Sequence, residues 1–192
     1  MTKLIKKPIF ITITAFVFFL IFSAYSYASS ISSDLSKSVF RLHVIANSDS
    51  DEDQSLKLQV RDKLLDYMNS ITANVSSKDD AIKIAQDHQK DFQIIAEQTI
   101  LDKGYSYPVT VEIGNYEFPT KHYGDITLPS GYYDALRVKI GDACGHNWWC
   151  VMFPPLCFVD VTSGIVPESS KDQLKENMSS EDYSIISNDN SL

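Results

Sequence analysis

Asn147-Trp148-Trp149-Cys150-Val151-Met152-Phe153-Pro154-Pro155-Leu156-Cys157-Phe158-Val159-Asp160 holds both tryptophans, two of the three cysteines and an apolar run that meets no charge before Asp160. This composition predicts two short strands broken at Pro154-Pro155, because neither proline can donate a ladder hydrogen bond. Strands apolar on both faces belong in the middle of a sheet covered on both sides, or in a sheet with one bare apolar face. Neighbouring side chains of a strand point to opposite faces, so one of Trp148 and Trp149 packs inside while the other is presented outward. Which one does so is left open by the sequence.

The segments on either side extend the same pattern. Leu136, Val138 and Ile140 alternate with Arg137 and Lys139 in a strand, after a turn at Leu128-Pro129-Ser130-Gly131. From Tyr107 to Phe118, Val109, Val111 and Ile113 alternate with Thr110 and Glu112 in a half-buried strand. Pro119 to Gly124 reads as a loop rich in hydrogen-bonding groups. Further upstream the period becomes helical. Leu56, Val60, Leu64, Met68 and Ile71 form one apolar stripe. A second runs through Ile82, Ala85, Phe92, Ile95, Ala96 and Thr99, started by Ser77-Lys78-Asp79-Asp80 and stopped at Gly104. Val39 to Ala46 is a first strand. The fold class is α+β, two amphipathic helices packed on a mainly antiparallel sheet, as a single domain over residues 39–161.

Outside that domain the composition changes. Lys3, Lys6 and Lys7 precede an apolar run from Ile9 to Phe22, and Ser26-Tyr27-Ala28 offers the small residues a signal peptidase reads. The run is shorter than the roughly 20 residues a spanning helix needs, so residues 1–28 are expected to be a cleaved export signal, the alternative being an uncleaved anchor. Residues 29–38 read as a polar tether, and 162–192 as an acidic, mostly disordered tail with weak helical character near Lys171 to Met178. The 192-residue chain carries a net charge of −8, and without residues 1–28 there are 14 basic against 25 acidic side chains, a net −11. Such a chain is repelled by nucleic acid and by anionic headgroups, so membrane contact is expected only through the export signal.

Export makes the cysteines candidates for a disulfide. The possible pairs are Cys144–Cys150, Cys144–Cys157 and Cys150–Cys157. The last closes a small loop over the Pro-Pro break and by loop entropy contributes roughly 2.5 kcal/mol. Three buried free thiols remain the bland alternative.

Catalytic and metal patterns do not assemble. Asp49, Asp51 and Asp53 resemble the start of a calcium loop, but no glycine stands at its sixth position and Val60 replaces the closing glutamate. Their better reading is as the capped, acidic start of a helix. His88 reads as a packing histidine. A Cys150–His122 nucleophile pair, with Asp125 orienting the histidine, is the best enzyme alternative and would be abolished by a disulfide at Cys150. No cofactor, metal site or small-molecule substrate is expected. Tryptophan and tyrosine are typical of recognition surfaces, and the C-terminal half is rich in both.

Three stretches carry a family resemblance: Arg41-Leu42 with Ile45 to Asp51, Phe118-Pro119-Thr120-Lys121 with Tyr123-Gly124, and Asn147 to Val151 with Phe153 to Phe158 and Asp160. In this order the chain, over roughly residues 39–160, resembles the stage II sporulation protein R family of endospore-forming bacteria. The resemblance implies a non-enzymatic protein exported from the forespore into the space between the septal membranes. There it would trigger a membrane-embedded aspartic protease of the mother cell, leading to pro-sigma-factor processing. It also implies that Cys150 and Cys157 pair, leaving Cys144 spare. The expected contact set for the protease is Asn47, Ser48, Asp49, Lys121, Tyr123, Gly124, Trp148 and Trp149. The rival reading is an extracytoplasmic hydrolase of septal peptidoglycan or peptide.

Overall fold

The computed structural model describes residues 2–73, 75–157 and 166–187. Helix α1 spans Thr2–Ser38 and leads directly into strand β1, Phe40–Ile45. The expected tether at 29–38 is therefore the last part of a helix. Its end belongs to the domain, because Leu35 and Val39 are fully buried and the Lys78 ammonium donates to the Ser36 carbonyl at 2.7 Å.

Helix α2, Asp51–Ile71, begins where Ser50 accepts a hydrogen bond from the Asp53 amide, with Asp51, Glu52 and Asp53 at its positive end. Its expected stripe is buried at Leu56, Val60, Leu64 and Met68. Each such side chain contributes about 1.5–3 kcal/mol on burial. The second expected helix is two, α3 (Lys78–Asp87) and α4 (Gln89–Asp102). The chain leaves helical geometry at His88, whose ring nitrogen lies 2.8 Å from both the Tyr67 hydroxyl and an Asp91 carboxylate oxygen. Gly104, at φ +83°, terminates α4 as anticipated.

The main sheet has the order β2-β5-β1-β6, with β2 Val109–Phe118, β5 Gly131–Ile140 and β6 Asn147–Phe153. Two of its three pairings are antiparallel, and β1 with β5 is parallel. The tryptophan strand is thus an edge, not the middle. The centre is β1 and β5, and the helices cover the face bearing Leu42, Val44, Val111 and Val138.

After β6 the Leu156 amide returns to the Val151 carbonyl at 3.1 Å, and Cys150 is joined to Cys157 with Cα atoms 5.1 Å apart. Only one strand flanks the Pro-Pro turn among the described residues. The rest of the second expected strand, Phe158 to Asp160, lies outside them. Pro119 to Gly124, read as a loop, contributes to a small hairpin of β3 (Lys121–Tyr123) and β4 (Ile126–Leu128). Gly124 at its tip takes φ +58°, a left-handed conformation that favours glycine.

The described part of the expected disordered tail is helical. Helices α5 (Glu168–Asn177) and α6 (Ser180–Ile186) bury Leu174 and Ile186, and Val166 joins the same core. Ser187 forms a bridge to Ile126, which attaches this region to the hairpin. Few apolar residues are needed, because Leu174 and Ile186 are almost wholly buried, although neighbouring Ile185 stays exposed.

Candidate functional site

The face of the sheet opposite the three helices is divided. Over the start of β1 it is sealed, and towards the end of β1 it is open. Arg41 lies in the sealed half with no exposed surface. Its guanidinium sits 4.1 Å from the Phe118 ring centroid and 4.7 Å from that of Tyr133. Nη2 donates to the Tyr123 hydroxyl at 2.7 Å, while Nε and Nη1 find no hydrogen-bond partner among the described residues. Burial raises the Tyr123 phenol above its usual range against the opposing pull of Arg41. The same hydroxyl donates to the Trp149 carbonyl at 3.2 Å, which ties the hairpin to the tryptophan strand.

Trp149 stands at the boundary. Its ring stacks on His43 at 3.7 Å and meets Phe118 edge-on at 4.8 Å. His43 is held by Asn147 at 2.8 Å, and burial lowers its pKa to about 4, so it is neutral near pH 7. Beyond it the open half carries Arg137 and Lys139, both bonded to Glu112, with Arg137 over the Tyr116 ring at 3.8 Å. Hydrogen bonds from Arg137 hold the Glu112 carboxyl below its usual range despite partial desolvation. Period-two geometry alone places these side chains on one face, but only pairing of four strands puts them side by side.

Trp148 points the other way, onto α2, where the Arg61 guanidinium covers its ring at 4.1 Å. Both tryptophans are half-buried, so neither is presented outward as expected, and the two do not share a surface.

The expected contact set also separates. Asn47 donates to Asp53 and accepts from the Asp142 amide at 2.9 Å, and Ser48 donates to Asp53 at 2.5 Å. Burial opposes ionisation of Asp53, but these hydrogen bonds, with one from Tyr107, bring its pKa below the ordinary value. A Cβ on Gly141 would lie 2.1 Å from the Asn47 amide oxygen, so a glycine there is part of the same lock. Asp49 accepts from the His146 amide at 2.5 Å. This turn lies past the end of β1, roughly 15–20 Å along the strand from the residues that touch Arg41. Tyr123 is buried, Lys121 is half-buried, and Gly124 is exposed at the hairpin tip. Of the eight residues, Trp149, Tyr123 and their hairpin neighbours Lys121 and Gly124 are brought together.

His43, Arg137, Asn147 and Arg41 are the residues that sequence reasoning missed. An arginine and a histidine at alternate positions of an otherwise apolar strand, Arg41 and His43, were the available signal. The Cys150–His122 pair does not exist as a reactive couple. Cys150 is in the disulfide, His122 contacts the Thr127 hydroxyl at 2.9 Å, and Asp125 is paired with Lys171 at 2.5 Å.

Residues 36–163 match the family described as stage II sporulation protein R. A curated protein of that name from Bacillus subtilis (strain 168) is 35% identical over 133 residues, which cover 69% of this chain and 59% of the relative. The chain thus spans about three fifths of the length of that relative. No solved structure matches it. Its matched region contains the whole sheet, both arginine sites and the disulfide, and the chain belongs to the stage II sporulation protein R family.

Proposed function

We propose that this chain acts in sporulation as an exported activator of a membrane-embedded aspartic protease of the mother cell, and so promotes processing of a pro-sigma factor. Family membership over residues 36–163 is the observation that carries the sporulation role. Several features support the finer reading. The leading part of α1 exposes Phe10, Phe18, Phe19 and Phe22, as an export segment would. The disulfide fits an oxidising compartment.

The proposed contact surface is the open half of the sheet face from Trp149 and Asn147 to Arg137 and Lys139, with Lys121 and Gly124 at its margin. A stacked tryptophan offers a rigid apolar anchor at low entropic cost, and the half-exposed arginine and lysine supply directed donors. Asn47, Ser48 and Asp49 act on this surface by holding the loop that leads into β6.

The test is co-expression of the full chain with the protease and its pro-sigma substrate in a non-sporulating host. Cleavage is expected only with all three present. Trp149→Ala, in a protein that still forms the disulfide, is expected to reduce it about tenfold or more, the loss typical of a buried aromatic anchor. Equal cleavage without the chain would refute the activator reading. Turnover of septal wall or peptide by purified chain alone would instead favour the hydrolase.

A further inference from the structure

Parts of both edges of the main sheet are covered by their own surroundings. On β6 the Trp149 carbonyl is taken by Tyr123 and the Val151 carbonyl by the Leu156 amide. On β2 the side chain of Gln89 donates to the Val111 carbonyl at 2.8 Å, and that of Gln93 reaches the Val109 carbonyl at 3.4 Å. Those two carbonyls point away from β5. In an antiparallel pair the main-chain groups alternate between the two sides of the strand, so Ile113, Asn115 and Glu117 also turn theirs outward. The pairing of β2 with β5 runs from Val109 to Phe118 without a bulge, which keeps this alternation in step. No glutamine covers these last three residues. Asn115 and Glu117 are exposed, and Ile113 is half-buried.

Such an edge is a template for an added strand unless something blocks it. Within Ile113 to Glu117 there is no proline and no lysine. Tyr132, paired across from Glu117 and 63% exposed, provides an apolar footing beside it. Charge selects the occupant. Glu117 forms no ion pair among the described residues, and the molecule carries −8 overall. A second copy pairing here would bring two acidic bodies together, whereas a cationic strand is attracted.

We infer that the β2 edge from Ile113 to Glu117 receives an extended, lysine- or arginine-bearing peptide segment of a partner as an additional antiparallel or parallel strand. Main-chain hydrogen bonds to Ile113, Asn115 and Glu117 supply the affinity, and Glu117 selects a basic side chain. The inference stands on the strand edge and does not require that the partner be the protease.

The experiment mixes the full chain with a synthetic heptapeptide of alternating lysine and valine, or with its glutamate–valine counterpart, and follows amide hydrogen exchange. The lysine peptide is expected to slow exchange at Ile113, Asn115 and Glu117 by about tenfold or more, as new hydrogen bonds suppress opening. Gly114 and Tyr116, already bonded to β5, should change little. Asn115→Pro removes the outward N–H without touching the β5 ladder and should abolish the effect. Asn115→Ala, which loses only the side-chain bond to Asp134, should retain it. Should Asn115→Pro fail to fold, Glu117→Lys decides the matter by reversing the preference between the two peptides. Equal response to both peptides, protection elsewhere or nowhere, or self-association through β2 in place of peptide binding would overturn the proposal.

Discussion

Arg41 and Arg137 lie on the same face of the sheet, on adjacent strands, and each guanidinium rests on an aromatic ring at about 4 Å. Their surroundings differ in every other respect. Arg137 keeps 26% of its side chain exposed and shares Glu112 with Lys139. Arg41 is wholly buried, bonded to one phenol, and paired with no carboxylate among the described residues. Taking a charge out of water carries a penalty of several kcal/mol that aromatic faces offset only in part. The pair shows that one face of one sheet can hold two different environments. Its sealed half locks the hairpin to β1 and β6, and its open half keeps charged side chains in reach of water.

The largest expected effect separates the two arginines. Arg41→Ala should lower stability by about 3–5 kcal/mol in urea denaturation, through a cavity among Phe118, Tyr123 and Tyr133 and the lost anchor for the hairpin. Arg137→Ala should change it by no more than about 1 kcal/mol, because a half-exposed ion pair is screened by water. Similar losses for both would break the comparison.

A pH titration of stability tests the boundary between the halves. The folded pKa of His43, about 4, lies below the ordinary 6.5, so the unfolded chain takes up the proton first as pH falls. Stability should be level with respect to His43 above pH 6.5 and decline by roughly 2–3 kcal/mol as pH falls towards 4. His43→Gln should flatten this window. Carboxylates held below their usual range, such as Asp53 and Glu112, lose their contribution at lower pH still.

Cys157→Ser breaks the loop that terminates the tryptophan strand and should lower stability by about 2–3 kcal/mol under oxidising conditions. The same variant compared with wild type in reductant should show little difference. A smaller loss than that of the disulfide is expected for Asn47→Ala at the far end of β1. Losing its bonds to Asp53 and to the Asp142 amide should lower stability by roughly 1–2 kcal/mol, read from the denaturation midpoint, and leave the sealed half unaltered.

Much of the architecture was legible because it rests on local periodicity. The stripe of Leu56, Val60, Leu64 and Met68, the Ser50 and Ser77 caps, the Gly104 stop and the alternation through β2 and β5 all appear where the pattern places them. The break at His88 was hidden, since it depends on Tyr67 from another helix and has no glycine or proline to announce it. Helix α6 was hidden as well, while α5 showed only as the weak helical character near Lys171 to Met178. Leu174 and Ile186 are too sparse to form a strong stripe, and they are buried through tertiary packing, with α6 against both α1 and β4.

For the candidate site, the chain alone determined that both tryptophans and two candidate disulfide cysteines share one short stretch, Trp148 to Cys157, because they are close in sequence, and that their side-chain types recur in recognition surfaces. Tertiary structure decided that β6 is an edge, that Trp148 and Trp149 serve opposite faces, and that Arg41, His43 and Arg137 share the face of Trp149. Strand order and register join residues distant in the chain, and no local preference of a single strand encodes which neighbour it will meet.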